Sequence, residues 1–162
     1  MSAVGALQAA RAAGVALAVE GDRLRVTSAR RPPDAVLAAL VEHKAALVEM
    51  LRPWTAADWR AFRDERAGVA EHEGGMTRDA ADEAAFGALV TEWLDRTMPG
   101  GPEGTCAACG AVDRPGDVVL PFGADGRRAW LHSRCWPAWH AKRTAEAVAA
   151  LAALGVKSDI SF

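Results

Sequence analysis

Three cysteines in 162 residues are too few, and odd in number, for a disulfide framework. In a reducing compartment, metal ligation is the use that fits so small a set. A strong excess of one charge is missing too. The formal net charge is −2 and the pI about 6.1, which excludes a generally basic nucleic-acid binder but leaves room for a local basic patch. No apolar run approaches the ~18 to 20 residues that a membrane span needs. Residues 3–19 are apolar enough to resemble a signal peptide. They lack a basic leading region and carry Arg11 in their middle, so they read as part of the fold. The expectation is a cytoplasmic protein with no membrane contact.

What is present is an ordinary balance of 51% hydrophobic and 25% charged residues, as in soluble globular chains. Much of the apolar share is alanine, which favours helix but buries little area. The core must come from scattered Leu, Val, Phe and Trp. Modules this small often need a staple, and a metal ion is one.

The pattern predicts an α+β chain in three parts, residues 1–53, 54–98 and 103–155, with a flexible tail at 156–162. In the first part an Ala-rich helix over residues 3–12 ends at Gly14. Val15, Leu17 and Val19 alternate with alanines, Glu20-Gly21-Asp22 turns the chain, and Leu24 and Val26 alternate with polar residues, as in a β-hairpin with one apolar face. Pro32-Pro33 opens a helix with the stripe Val36, Leu37, Leu40 and Val41. Leu47, Val48 and Leu51 continue the stripe after a break near His43-Lys44, and Pro53 closes the segment.

Residues 14–26 and 37–51 resemble the N-terminal docking domains of the tubulysin-synthetase type, small αββαα modules at the N-termini of megasynthase subunits. The resemblance covers about a third of the chain. It rests on Gly14, Leu17, Gly21 and Leu24, with Lys44-x-x-Leu47. It implies a module that holds a short peptide segment of another protein, and that often forms a homodimer. A hairpin edge can accept such a strand. Arg23, Arg25 and Lys44 are the candidate partner-binding residues and favour an acidic segment; their alternative role is plain solubility.

The middle part reads as two helices. Thr55 and Asp58 have capping-box spacing, with Asp for the usual Glu. Trp59, Phe62 and Val69 mark one face of a helix that runs to about residue 73. Gly74-Gly75 breaks it, Thr77 caps the next, and Phe86, Leu89, Val90, Trp93 and Leu94 form a helical stripe. The charges Arg60, Arg63, Asp64, Glu65 and Arg66 read as a solvated face. Residues 58–75 resemble segments of proteins carried by proteobacterial phages and mobile elements. Pro99-Gly100-Gly101-Pro102 is a linker by composition.

The chemistry lies in the last part. Cys106-x-x-Cys109 is followed, after 22 intervening residues, by His132-x-x-Cys135. Two close pairs separated by a hairpin-length spacer are what a tetrahedral site requires, because each pair curls round one side of the ion. All three cysteines fall in the pattern, and the expected ion is a structural Zn2+. Val118-Val119-Leu120 and Ala129-Trp130-Leu131 read as strands around a turn at 123–126. Pro137 opens a helix that runs to about Leu154, before Gly155. Three thiolates and a neutral His leave the site at −1, a charge that the N-terminus of that helix favours. Trp130, Trp136 and Trp139 are expected to wrap the site. His140 is an ordinary helix residue, a rival fourth ligand or a group that supports a ligand from behind. His43 and His72 read as surface or satisfied histidines.

The order of knuckle, hairpin and helix resembles a treble-clef finger. Trp130-x-His132-x-x-Cys135-Trp136 resembles the second half of the first zinc site in LIM and PARP-type fingers. No cysteine follows Cys135, so a single site is implied.

Four protein ligands close the ion to water, whereas a catalytic zinc keeps an open position. The His-x-Glu and Pro-Cys-x-x-Cys pairing of zinc deaminases is absent. No His lies between residues 110 and 131, where a His-Asn-His nuclease would need one, and no phosphate-binding loop is present. The sequence therefore reads as a non-catalytic zinc-binding adaptor for a protein or peptide partner. The alternative is a nucleic-acid-binding finger. From Cys106 to Arg143 six basic residues (Arg114, Arg127, Arg128, Arg134, Lys142, Arg143) face three acidic ones (Asp113, Asp117, Asp125), and Arg127, Arg128 and Arg134 would be its contacts.

Overall fold

The computed structural model describes residues 1–123 and 128–156. The architecture is α+β, with helices and two small antiparallel hairpins. The chain divides into two compact units, Met1–Pro53 and Trp54–Phe162.

In the first unit the order is α1 (Ala3–Ala12), β1 (Val15–Glu20), β2 (Arg23–Ser28), α2 (Asp34–Glu42) and α3 (Lys44–Leu51). Ser2 starts α1 by accepting the Gly5 N–H through its hydroxyl, which satisfies one orphan donor. Gly14 follows the helix with φ +72°, the left-handed conformation that glycine adopts without penalty. Glu20 pairs with Arg23 across the Gly21-Asp22 turn, and Leu17 faces Val26. One face of the hairpin, carrying Val15, Leu17 and Leu24, packs with Leu7, Ala10, Leu40 and Leu47. The helical break falls at His43, which lies between α2 and α3.

Val41 corrects the expected stripe. It is 78% exposed, while Ala39 is buried beside Leu40. The stripe assigned Val41 by hydrophobicity, but one step along a helix turns about 100°, and the buried arc here is narrow enough for alanine to fill.

The second unit contains α4 (Ala56–His72), α5 (Arg78–Arg96), β3 (Val119–Phe122), β4 (Ala129–His132) and α6 (Trp136–Ala153). The capping box of α4 is complete. Thr55 Oγ1 accepts from the Asp58 N–H at 3.3 Å, and Asp58 Oδ2 accepts from the Thr55 N–H at 2.8 Å. Thr55→Ala should therefore cost about 1 kcal/mol, read as a lower urea midpoint at unchanged slope. Thr77 caps α5 with its hydroxyl alone, which accepts from the Ala80 N–H at 3.4 Å.

α4 and α5 pack on each other through Trp59, Phe86 and Leu89, with Trp54, Phe62, Val90 and Trp93 around them. Val69, expected on this face, is 41% exposed, and Ala67 is buried instead. As at Val41, it is the neighbouring small residue that is buried.

Leu151 and Val156 belong to this same cluster. α6 thus packs on the helical hairpin, a placement left open by the sequence. Arg143 adds a second tie. Its guanidinium donates to the Thr97 carbonyl at 2.9 Å and to Thr97 Oγ1 at 2.7 Å, and lies over the Trp93 ring.

Val156, expected to begin a flexible tail, is 1% exposed. Its N–H bonds the Leu151 carbonyl at 2.9 Å and the Gly155 N–H bonds that of Ala152 at 3.0 Å, with Gly155 at φ +74°. This is a Schellman cap, whose accompanying apolar contact is the one between Val156 and Leu151. The rest of the expected tail, with Ile160 and Phe162, lies outside the described residues, as does the turn at 124–127. Among the described residues no helix is long and apolar enough to cross a membrane.

Candidate metal centre

The centre begins with the turn at 106–110. Cys106 pairs backbone with Ala111, its N–H donating to the Ala111 carbonyl at 2.9 Å, and Gly110 returns an N–H to the Cys106 carbonyl at 2.8 Å. Gly110 has φ +72°, which lets the chain curl tightly enough for both Cys106 and Cys109 to face one point. The Ala107 N–H donates to the Trp130 carbonyl at 2.7 Å and so fastens this knuckle to β4.

The hairpin brings the other two residues. β3 pairs with β4, Val119 opposite His132. The first strand begins at Val119, and Val118 is 52% exposed, one residue later than its hydrophobicity suggested. His132 ends β4, and the Cys135 N–H donates back to its carbonyl at 2.9 Å. Cys135 is the N-cap of α6, so the positive helix end meets the thiol cluster.

Cys106, Cys109, His132 and Cys135 come together, with their ligand atoms all within 4.8 Å of one another. His132 Nδ1 is 3.5 Å from Cys109 Sγ. The four residues lie close enough to hold a metal ion. Cys106 and His132 are buried, Cys135 is half-buried and Cys109 is exposed. Val119, Ala129 and Leu131 form the small core beside them, with Phe122, Trp130, Trp136 and Trp139 packed on it. Phe122 stacks on Trp136 at 4.4 Å.

The thiols are electrostatically unequal. Burial raises the Cys106 pKa, but backbone N–H groups of His132, Cys109 and Ala108 and the Cys109 thiol outweigh it, and the pKa falls to about 6. Cys135 is pushed up to about 11, by burial first and then by the neighbouring Cys106 and Cys109 sulfurs. Three thiols at one point resist common ionisation unless a cation joins them.

Asp117, which the sequence offers only as one of three acidic residues of the finger, stands next to the cluster. Its Oδ2 lies 3.6 Å from His132 Nε2. Arg134 grips the same carboxylate through Nε and Nη2 at 2.8 to 3.2 Å. The Arg134 hydrogen bond holds the Asp117 carboxyl below its ordinary pKa, and the pair holds the Arg134 guanidinium above its own. The partners stand 17 positions apart in the chain, so no local pattern announces them.

The other candidates scatter. His140 is exposed, lies beside the Trp136 ring at 4.9 Å and is outside the cluster. His72 is exposed and His43 half-buried. Arg128 is exposed, while Arg127 lies outside the described residues. Arg143 and Lys142 both face Glu146, at 2.6 and 3.9 Å. In the first unit Arg23, Arg25 and Lys44 are exposed, and Arg25 pairs with Glu20 at 2.9 Å.

The chain matches no protein-family model, no curated protein and no solved structure.

Proposed function

We propose that this chain is a non-catalytic zinc-binding adaptor, in which a structural Zn2+ at Cys106, Cys109, His132 and Cys135 holds the finger and the first unit takes a protein segment. The convergence of three sulfurs and one imidazole nitrogen carries the zinc reading. Such a set suits zinc and is foreign to the oxygen-seeking Mg2+ and Ca2+. With Zn–S near 2.3 Å and Zn–N near 2.0 to 2.1 Å, a tetrahedron has S···N edges of about 3.6 Å. The Cys109–His132 separation of 3.5 Å already matches that edge. Four protein ligands leave no position for a reacting water, which favours a structural ion. The order of knuckle, hairpin and helix supports a single-site treble-clef finger.

The adaptor role draws on the first unit. Its αββαα order agrees with that of the docking modules it resembles. Its sheet has two strands only, so each strand keeps one edge that a peptide strand can extend. Arg23 and Arg25 alternate with Leu24 and so share the face opposite the core, as befits an acidic partner. Arg25 makes one ion pair, with exposed Glu20, whereas on the finger Arg134 is gripped through two nitrogens by Asp117 and Arg143 is held by both Thr97 and Glu146, which reduces the basic surface a nucleic acid would meet.

Affinity capture of the tagged chain from its native host, with and without nuclease, tests the role. A protein partner that survives nuclease, and whose capture is weakened by the combined substitution Arg23→Glu, Arg25→Glu and Lys44→Glu, is the expected result. Recovery of nucleic acid, with affinity falling steeply between about 50 and 200 mM salt, would instead make the finger the functional surface.

A further inference from the structure

With the zinc reading above as premise, we propose that Asp117 is the positioning residue that commits His132 to bind the metal through Nδ1, and that Arg134 holds Asp117 in place for it. His132 is the one buried polar side chain of the finger's described residues, with no exposed surface. Its Nε2 has no hydrogen-bond partner. A buried ring N–H left in that state is costly. The Asp117 Oδ2 at 3.6 Å is a short adjustment away from accepting it, and Nδ1, on the other side of the ring, faces the sulfurs.

The two ring nitrogens cannot exchange roles cheaply. A neutral imidazole has one N–H and one lone pair. With the hydrogen on Nε2, the donor meets a carboxylate and the lone pair meets the metal. With the hydrogen on Nδ1, a donor points at the cation while a buried lone pair opposes a carboxylate. Asp117 thus selects the ligating tautomer, and its charge raises the basicity of the nitrogen that binds.

Asp117 is itself held from two sides. Its backbone is bridged to Arg114, N–H to carbonyl in both directions at 3.0 and 3.3 Å. Its carboxylate is gripped by Arg134, which lies in the turn between His132 and Cys135. The ligand turn therefore carries the clamp for the carboxylate that orients its own histidine. Arg134 also offsets the charge that Asp117 adds to a site already negative with three thiolates. This gives Arg134 an internal role in place of the nucleic-acid contact its position first suggested.

The test uses the full chain and its Asp117→Ala, Asp117→Asn and Arg134→Ala variants, titrated with Zn2+ against a chelator of known affinity. Co2+ spectra report the ligand set, and the nitrogen resonances of His132 report which ring atom is bound. Wild type should bind through Nδ1 with Nε2 protonated. Asp117→Ala should keep one metal per chain at an affinity 10- to 100-fold lower. Asp117→Asn, whose amide oxygen still accepts from Nε2–H, should fall between the two, and Arg134→Ala should lose less than Asp117→Ala. Coordination through Nε2 in the wild type, or unchanged affinity in Asp117→Ala, overturns the proposal and leaves the zinc site standing. A folded wild type that binds neither Zn2+ nor Co2+ removes the premise and the proposal together. Should Asp117→Ala fail to fold, the Asn variant and the wild-type ring resonances decide the matter alone.

Discussion

Stripping the metal with a strong chelator should unfold the finger and leave the Met1–Pro53 unit intact. Among the described residues the core beside the proposed zinc is four buried residues, Cys106, Val119, Ala129 and Leu131, of which only two are sizeable hydrocarbons. The hairpin has two short strands, and hairpins of that size are marginal in water. A structural zinc supplies on the order of 10 kcal/mol to such a site, more than this core can replace. Trp130, Trp136 and Trp139 pack on that core, so tryptophan fluorescence and near-UV dichroism should change sharply on chelation. The first unit has its own cluster around Leu40 and Leu47 and no part in the metal site, so its amides should stay protected from hydrogen exchange. The C-terminal turns of α6 should retain protection too, because Leu151 and Val156 are held by α4 and α5. Cys106→Ser should reproduce the chelated state. A protein that purifies folded without metal, or keeps its melting curve in chelator, would refute the zinc assignment.

Leu89→Ala should destabilise the second unit by about 2 to 5 kcal/mol, the range for deleting a large aliphatic side chain from a packed interior. Leu89 is fully buried, in one cluster with Trp59 and Phe86 of the helical hairpin and Leu151 and Val156 of the α6 end. Three helices converge there, so the cavity cannot close by a local shift of one of them. Urea denaturation should show the lower midpoint in the second unit while the first is unaffected. Val41→Ala is the control. At 78% exposure it should alter stability by no more than about 0.5 kcal/mol. Equal effects at Leu89 and Val41 would mean that the packing described here is wrong.

Those two leucine and valine positions show where one-dimensional reading ends. Periodicity located the helices because capping chemistry and glycine punctuation are local. Thr55 and Asp58 are three residues apart, and Gly14 ends α1 on the strength of its own backbone freedom. Periodicity does not say how wide a helix's buried arc is. Val41 and Val69 lie outside it and Ala39 and Ala67 inside, because the direction a residue faces on the folded helix, and not its hydrophobicity, decides its burial. By its sequence Val156 belongs to a tail, because a single valine after a helix-ending glycine has no periodic company. Only the Schellman cap returned it to the core.

The metal site divides in the same way. Its four clustered residues could be picked out from the chain alone, because Cys106 and Cys109, like His132 and Cys135, are paired by tight turns that leave fixed spacings. Local chemistry likewise set the element order and the α+β class. The association of α6 with the helical hairpin and the Asp117–Arg134 clamp on the buried face of His132 depended on tertiary structure. They join residues far apart in the chain, such as Asp117 and Arg134, 17 positions apart, and Thr97 and Arg143, 46 apart, and side chains that far apart meet only where the folded backbone brings them.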